Sequence, residues 1–408
     1  MQAQIKRVEA ALKNLKDGKM IILVDDPDRE NEGDLIISAE KITTESMNFL
    51  IRQGTGIVCI SMATQQLKEL QLPLMVPVHE NSSARHTPFT ISIDAKDGIT
   101  TGVSAADRMK TIQALIQEPL NPENLVKPGH IFPLQAKEGG VLERQGHTEG
   151  AIDLVKLAGL KPAAVLCEIM NPNGTMCRGE QLKQFSAKHD IGMLSIDDII
   201  TYRLHKECII EEEASAQFPM DEYGVFTISI IKEKFSQLEH VVLTKNLTSA
   251  NQAPLVRIHS SCLTGDLFAS QHCDCNKQLH YSLQRISAEG GMLIYLNQEG
   301  RGIGLFNKIK AYALQEQGYD TVEANKELGL PVDSRKYYMA ANILRKYNID
   351  HIRLLTNNPN KIQDLKKYGV NTIERESMPS FQHKHNQFYL ETKKCKLNHL
   401  IDFGGLSA

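Results

Sequence analysis

At 408 residues the chain exceeds the size at which one hydrophobic core usually stops growing, so two domains of roughly 200 residues each are expected. With 41% hydrophobic and 23% charged residues, and no apolar run near the ~20 residues that a membrane helix needs, the composition is that of a soluble globular protein and argues against a membrane partner. A formal net charge of −3 supplies no global field for DNA or RNA, so nucleic acid is not expected as a partner, while basic pockets for phosphorylated small molecules stay open.

In chain order, residues 1–16 space Ile5, Val8, Leu12 and Leu15 as an amphipathic helix closed by Gly18, without the apolar core of a secretory signal, so a cytoplasmic location is expected. A short apolar strand at 20–24 then runs straight into a cluster of charges. Further strands are expected at 56–61, 89–94 and 164–170, with helices at 105–117 and 180–189. Near 211–219 the sequence E-E-E-A-S-A-Q-F-P loses apolar periodicity, as a linker would, which divides the chain into domains 1–205 and 206–408. Beyond it, strands at 225–231, 241–244, 255–259, 292–296 and 352–356 alternate in part with helices at 305–317 and 335–347. The expected fold class is α/β and α+β: two mixed α/β domains in one chain.

The first chemical signal is D-D-P-D-R-E-N-E-G-D at 25–34, directly after a strand. Such an oxygen-rich cluster suits a hard divalent ion, Mg²⁺ or Mn²⁺, and a solvated acidic turn is the other reading. Lys127-Pro128-Gly129-His130-Ile131-Phe132-Pro133-Leu134 and Leu142-Glu143-Arg144-Gln145-Gly146-His147-Thr148-Glu149 add ionisable groups in what read as glycine-containing loops. Taken singly, His130 or His147 reads as a structural histidine.

Those segments, with C-E-I-M-N-P-N-G-T-M at 167–176, resemble dihydroxybutanone phosphate synthase over nearly the whole first half, in the family order. The resemblance implies conversion of ribulose 5-phosphate to 3,4-dihydroxy-2-butanone 4-phosphate and formate, with two divalent ions. It implies Glu30 and His147 as metal ligands, with Arg29, Glu30, Asp34, Arg144, Gln145, Gly146, His147, Thr148 and Glu168 around the substrate, and His130 and Glu168 as catalytic residues. Enolising a ketose needs a base beside a carbon-bound proton and a cation to stabilise the enediolate. One carboxylate and one imidazole are too few for two octahedral ions, so substrate and water must complete the shells.

Of eight cysteines, Cys59, Cys167, Cys177, Cys208 and Cys395 are scattered and are expected to be buried small hydrophobes. Cys262, Cys273 and Cys275 are clustered, as Cys-x10-Cys-x-Cys. Three thiolates suit zinc with an open position for activating water, and a closed structural site using His259, His272 or His280 is the rival. After the apolar run 292–296 comes N-Q-E-G-R-G-I-G-L, a glycine-rich entry to a helix that fits either phosphate binding or plain helix initiation.

With G-Y-D-T-V-E-A-N, L-P-V-D-S-R and L-L-T-N-N-P-N-K, the second half is similar to GTP cyclohydrolase II. The resemblance implies one Zn²⁺ on Cys262, Cys273 and Cys275, and release of guanine C8 as formate with loss of pyrophosphate. It implies a GTP site of Arg257, Ile258, His259, Ser260, Ser261, Gln278, Glu299, Gly300, Arg301, Thr321, Thr356 and Lys361. Asp333 and Arg335 are implied as catalytic, and Tyr312 as a hydrogen-bonding neighbour; both families imply a homodimer. The sequence departs from the family at Ser261, His272, Asn276 and Asn297, where glutamate, arginine, glycine and arginine are usual. An alternative is therefore a synthase whose second half is an impaired nucleotide-binding or regulatory module. A nucleic-acid-binding zinc finger is disfavoured by the acidic charge and by the lack of a matching pair at finger spacing.

Overall fold

The computed structural model describes residues 2–247, 253–384 and 386–401, so Met1 of the expected first helix lies outside it. The chain divides into two compact units, Met1–Arg203 and Leu204–Ala408.

In the first unit, the helix Gln2–Lys16 buries Val8, Ala11, Leu12 and Leu15, one stripe at helical spacing. Gly18 stops it in the left-handed region (φ 75°), and the Lys19 amide returns to Asn14 O at 2.8 Å. Seven strands follow: β1 (Ile21–Val24), β2 (Gly33–Ser38), β3 (Cys59–Ala63), β4 (Ile93–Ala95), β5 (Leu125–Ala136), β6 (Ala163–Glu168) and β7 (Met193–Ser195). They form one mixed sheet in the order β4-β5-β3-β6-β2-β1-β7, parallel at β3–β5 and β1–β7 and antiparallel elsewhere. Ile22, Leu35, Ile37, Ile60 and Val165 face one core, while Ile21, Leu23, Ile36, Cys59 and Ala164 face another. Burial on both faces explains the unbroken apolar runs of β1 and β2.

The expected loop at 127–134 is instead the middle of β5. Its pattern was hidden by Pro128 and Gly129, which stand where β4 and β5 slip register between Ile93 and Asp94. The expected loop at 142–149 ends inside a helix, His147–Leu157, whose first turn carries His147, Thr148 and Glu149.

The second unit has β8 (Ile210–Met220), β9 (Gly224–Glu233), β10 (Glu239–Lys245), β11 (Leu255–Ser260), β12 (Gly291–Leu296), β13 (His351–Leu355) and β14 (Thr372–Glu376). Their order is β14-β13-β11-β12-β10-β9-β8: β14, β13, β11 and β12 are parallel, and β12, β10, β9 and β8 are antiparallel. The linker expected at 211–219 is therefore a correction, since those residues are β8, paired with β9 along its length. As an edge strand it is largely exposed, so backbone pairing rather than apolar burial holds it, and its acidic residues and Pro219 suit an edge. The helix expected at 335–347 begins only at Tyr338, which leaves Arg335 in the preceding loop. The loops after β11, β12 and β13 leave the carboxyl ends of parallel strands, where open α/β sheets hold their ligands.

Candidate active sites

In the first unit, the turn after β1 folds around Asp25. Its buried carboxylate accepts the amides of Glu30 (3.1 Å) and Glu32 (2.9 Å) and the Arg29 guanidinium at 2.8 Å. Arg29 also reaches Glu30 Oε2 at 2.6 Å. That same oxygen lies 3.8 Å from Nδ1 of His147, presented by the first turn of its helix. Asp25, Glu30 and His147 offer ligand atoms all within 4.8 Å of one another. Nε2 of His147 is buried without a partner among the described residues, so the imidazole retains a nitrogen for a further ligand. Asp25 also holds the turn and Glu30 Oε2 also takes the Arg29 guanidinium, and the three side chains together form a donor set that suits a divalent ion.

Asp34 on β2 stands opposite Glu168 on β6. Burial pushes its carboxyl up to about 7; Glu168, Glu30 and Glu32 act in the same direction and His147 against it. Oε2 of Glu168 accepts the Ile57 amide at 2.8 Å. Arg144 is gripped at 2.6 Å by Glu149, which is fully buried, Gly146 caps the helix, and Thr148 O accepts the Ser61 hydroxyl at 2.7 Å. Gln145 is exposed. His130 lies on β5, with β3 between it and the Glu168 strand β6, and its Nδ1 pairs with Asp94 Oδ2 at 2.7 Å. Asp25, Asp94 and Glu149 are contributors the sequence reading passed over, although Asp25 and Glu149 stood inside the motifs it quoted.

In the second unit, Cys262 follows β11, Cys275 opens the helix Cys275–Glu289 and Cys273 stands just before its N-cap, Asp274. Their sulfurs lie within 4.8 Å of one another. A Cβ on Gly265 would come 2.8 Å from the Cys273 sulfur and 3.0 Å from that of Cys262, so the glycine keeps the cradle open. Hydrogen bonds with Cys273 and Cys275 pull the Cys262 thiol far below the ordinary range, with the Lys308 ammonium, 3.1 Å away, adding to them. Lys308 also pairs with Glu299 at 2.8 Å. This donor set fits zinc. Among the described residues no histidine joins the three sulfurs: His259 pairs with Asp266 at 3.0 Å, His272 stacks on Tyr312 at 4.7 Å and His280 meets the Tyr223 hydroxyl at 2.7 Å.

The three cysteines line a cavity with Arg257, His259, Ser260, Ser261, Gln278, Glu299, Gly300, Arg301, Tyr312, Thr321, Arg335, Thr356 and Lys361. Ile258 is buried in the core and contributes its carbonyl, which accepts Lys361 Nζ at 2.7 Å. Asp333 stands behind Arg335, with Oδ1 taking its Nε–H at 2.9 Å. Burial pushes Arg257 down to about 10 and, with Arg257 and Arg335 nearby, pushes Lys361 well down. Burial and the cations Lys393, Arg335, Arg301 and Lys361 hold His399 down to about 3. Crowded cations of this kind mark an anion site.

Two of the departing side chains find partners: Ser261 Oγ accepts the Gln298 amide at 3.0 Å and the Asn276 side chain donates to Asp266 O at 3.3 Å; at Asn297 the backbone N–H donates to His240 Nδ1 at 3.0 Å. Lys308, Asp266, Asp274 and Lys393 are participants the sequence reading missed. Of the scattered cysteines, Cys59, Cys167 and Cys177 are buried, but Cys208 and Cys395 are exposed, contrary to expectation.

The family model for 3,4-dihydroxy-2-butanone 4-phosphate synthase matches residues 9–202, and that for GTP cyclohydrolase II matches residues 211–377. The riboflavin biosynthesis protein RibBA of Aquifex aeolicus is 48% identical over 97% of both chains. The bifunctional riboflavin biosynthesis protein RIBA 1, chloroplastic, of Arabidopsis thaliana is 47% identical over 96% of this chain and 73% of its own. Among solved structures, RibBX, a two-domain 3,4-dihydroxy-2-butanone 4-phosphate synthase from A. baumannii, superposes with a TM-score of 0.71 at 32% identity, covering 92% of this chain and 100% of that one. Relatives that match both units and carry the bifunctional name favour two activities over a synthase with an impaired second half. Among the described residues no helix is long and apolar enough to cross a membrane. The chain belongs to the bifunctional riboflavin biosynthesis family, an enzyme with a 3,4-dihydroxy-2-butanone 4-phosphate synthase in its first unit and a GTP cyclohydrolase II in its second.

Proposed function

We propose that the first unit takes ribulose 5-phosphate to 3,4-dihydroxy-2-butanone 4-phosphate and formate with Glu30 and His147 holding Mg²⁺ or Mn²⁺. Bound there, two such ions supply Lewis acidity to the substrate's oxygens. Arg29 and Arg144, each fixed by a buried carboxylate, meet the anionic substrate, while Gln145, Gly146 and Thr148 border it at the head of the helix. Asp94 fixes the His130 tautomer by accepting from Nδ1, which leaves Nε2 to exchange protons with substrate. Glu168, with one oxygen tied to the Ile57 amide, has the other free to take a proton. Asp34, half-titrated near neutrality, can hold a proton or release it as charge develops.

In the second unit the reading is GTP hydrolysis at C8 with release of formate and pyrophosphate, leaving the diaminopyrimidine ribosyl phosphate. Zinc on Cys262, Cys273 and Cys275 supplies activation of water. Arg301, Arg335 and Lys361 bind the triphosphate, and Asp333 orients Arg335 and accepts a proton. We assign Arg335 the role of stabilising phosphoryl charge, because a guanidinium is almost never deprotonated. The reading also takes the enzyme to be a cytoplasmic homodimer; sedimentation of the purified protein tests the dimer, and cell fractionation tests the location.

The observation that carries the second activity is the gathering of three cysteine sulfurs, from two segments, over a cavity rich in cations. The test is formate release from GTP alone by the full-length protein, with Cys273→Ser as control, beside formate release from ribulose 5-phosphate, with Glu30→Ala as control. Each control loses its own activity by more than about a hundredfold and keeps the other. Formate from GTP that survives Cys273→Ser would remove zinc from the mechanism.

A further inference from the structure

The match to the cyclohydrolase family ends at residue 377, yet the cavity wall continues beyond it. Tyr389, Leu390, Lys393, His399 and Ile401 complete that wall, three of them from the helix Gln387–Cys395. The segment 386–401 is strapped down at several points. Lys393 Nζ lies 3.1 Å from Asp274, the residue between two of the zinc cysteines. Lys396 pairs with Asp320 and, at 2.9 Å, with Glu323, at the cap of the helix Thr321–Glu327. The Leu400 amide donates to Asn357 O at 2.8 Å, and Leu390 and Ile401 are buried.

One residue of the matched domain depends on this strap. Arg301 adopts φ 62°, a backbone conformation side chains rarely take, in the turn after β12. Its Nη1 is buried with no hydrogen-bond partner among the described residues. Its guanidinium lies 5.7 Å from the centre of the Tyr389 ring, with the Lys393 ammonium 4.2 Å from the same ring. A carboxylate in that place would occupy the guanidinium's N–H donors. A ring face attracts the cation and leaves the in-plane donors free for a phosphate.

We propose that Tyr389 is a positioning residue of the nucleotide site, holding Arg301 with an open N–H toward the phosphates of GTP, so that the strap 386–401 is part of the site. This rests on reading the cavity as the GTP site. Lys393, already committed to Asp274, secures the strap to the zinc loop.

The test compares full-length parent, Tyr389→Leu and Tyr389→Phe for equilibrium binding of the α,β-methylene analogue of GTP, for KM and kcat with GTP, and for zinc content. A thermal melt of each variant serves as the control on folding, and formate release from ribulose 5-phosphate reports on the first unit alone. Removing the ring face should raise both the Kd and KM about tenfold. In the same variant kcat should change less than about twofold, with zinc at the parental level, and Tyr389→Phe should restore binding. Parental binding by Tyr389→Leu would overturn the proposal. So would equal weakening in the phenylalanine variant, or loss of zinc together with binding, which would make the strap a prop for the metal loop. A parent protein that fails to bind the analogue would strike at the GTP reading itself and take the proposal with it.

Discussion

Asp34 shows how one buried carboxyl ties stability to pH. Burial raises it from 3.8 to about 7, so between about pH 4 and 7 the unfolded chain has released a proton that the folded unit still holds. The folded unit thus binds the extra proton, and stability falls as pH rises through that window, the full penalty being reached above it. Asp34→Asn removes the slope. In chelator, its Tm should exceed the parent's by roughly 2–4 °C or more at about pH 8, and by less at about pH 5; an equal offset at both would refute the linkage. Lys308 poses a different case, since one ammonium serves both the Cys262 sulfur and Glu299. Lys308→Met leaves Glu299 without its cation beside a thiolate. We expect formate release from GTP to fall roughly 10–100-fold and zinc to be retained less tightly in a chelator titration, with the synthase rate unchanged.

At the level of the element, β5 carries the sharpest constraint. A Cβ on Gly129 would lie 2.0 Å from the carbonyl carbon of Ile93, so any side chain there pushes β4 away from β5 and pulls Asp94 from His130. Gly129→Ala should lower the stability of the first unit by about 1–3 kcal/mol and abolish formate release from ribulose 5-phosphate, while formate from GTP persists. This strand also marks what could be read from sequence. The helix Glu180–His189 and strands such as Leu255–Ser260 were legible because apolar periodicity or a bounded apolar run announces them. β5 and β8 were not, because a proline–glycine step at a register slip and an exposed acidic edge are both held by backbone pairing, which leaves no apolar pattern. The residues gathered at the two candidate sites stood inside motifs that the sequence displays, whereas Asp94 and Lys393 did not, because each acts through a partner far away in sequence and joined only by the fold.

At the scale of the whole molecule, each unit has its own sheet and its own ligand cluster. Stripping zinc with 1,10-phenanthroline in excess Mg²⁺ should therefore abolish formate release from GTP and leave that from ribulose 5-phosphate within about twofold, and added Zn²⁺ should restore the first. A parallel loss of both activities would show that the units share a metal-dependent step. The two sheet orders differ in another respect. In the first sheet β1 lies between β2 and β7, so its parallel partner is the last strand of the unit, and β1 waits for residues 193–195 before its second edge is covered. In the second sheet the antiparallel half runs β8, β9, β10 outward from one edge, each strand beside the one made just before it. On the ribosome, then, the first sheet can close only when nearly all of its unit has emerged, whereas the second can begin as a growing hairpin ladder and add its parallel, site-forming half afterwards. The synthase is complete, as far as its own sheet is concerned, before the first cysteine of the zinc cradle has been translated.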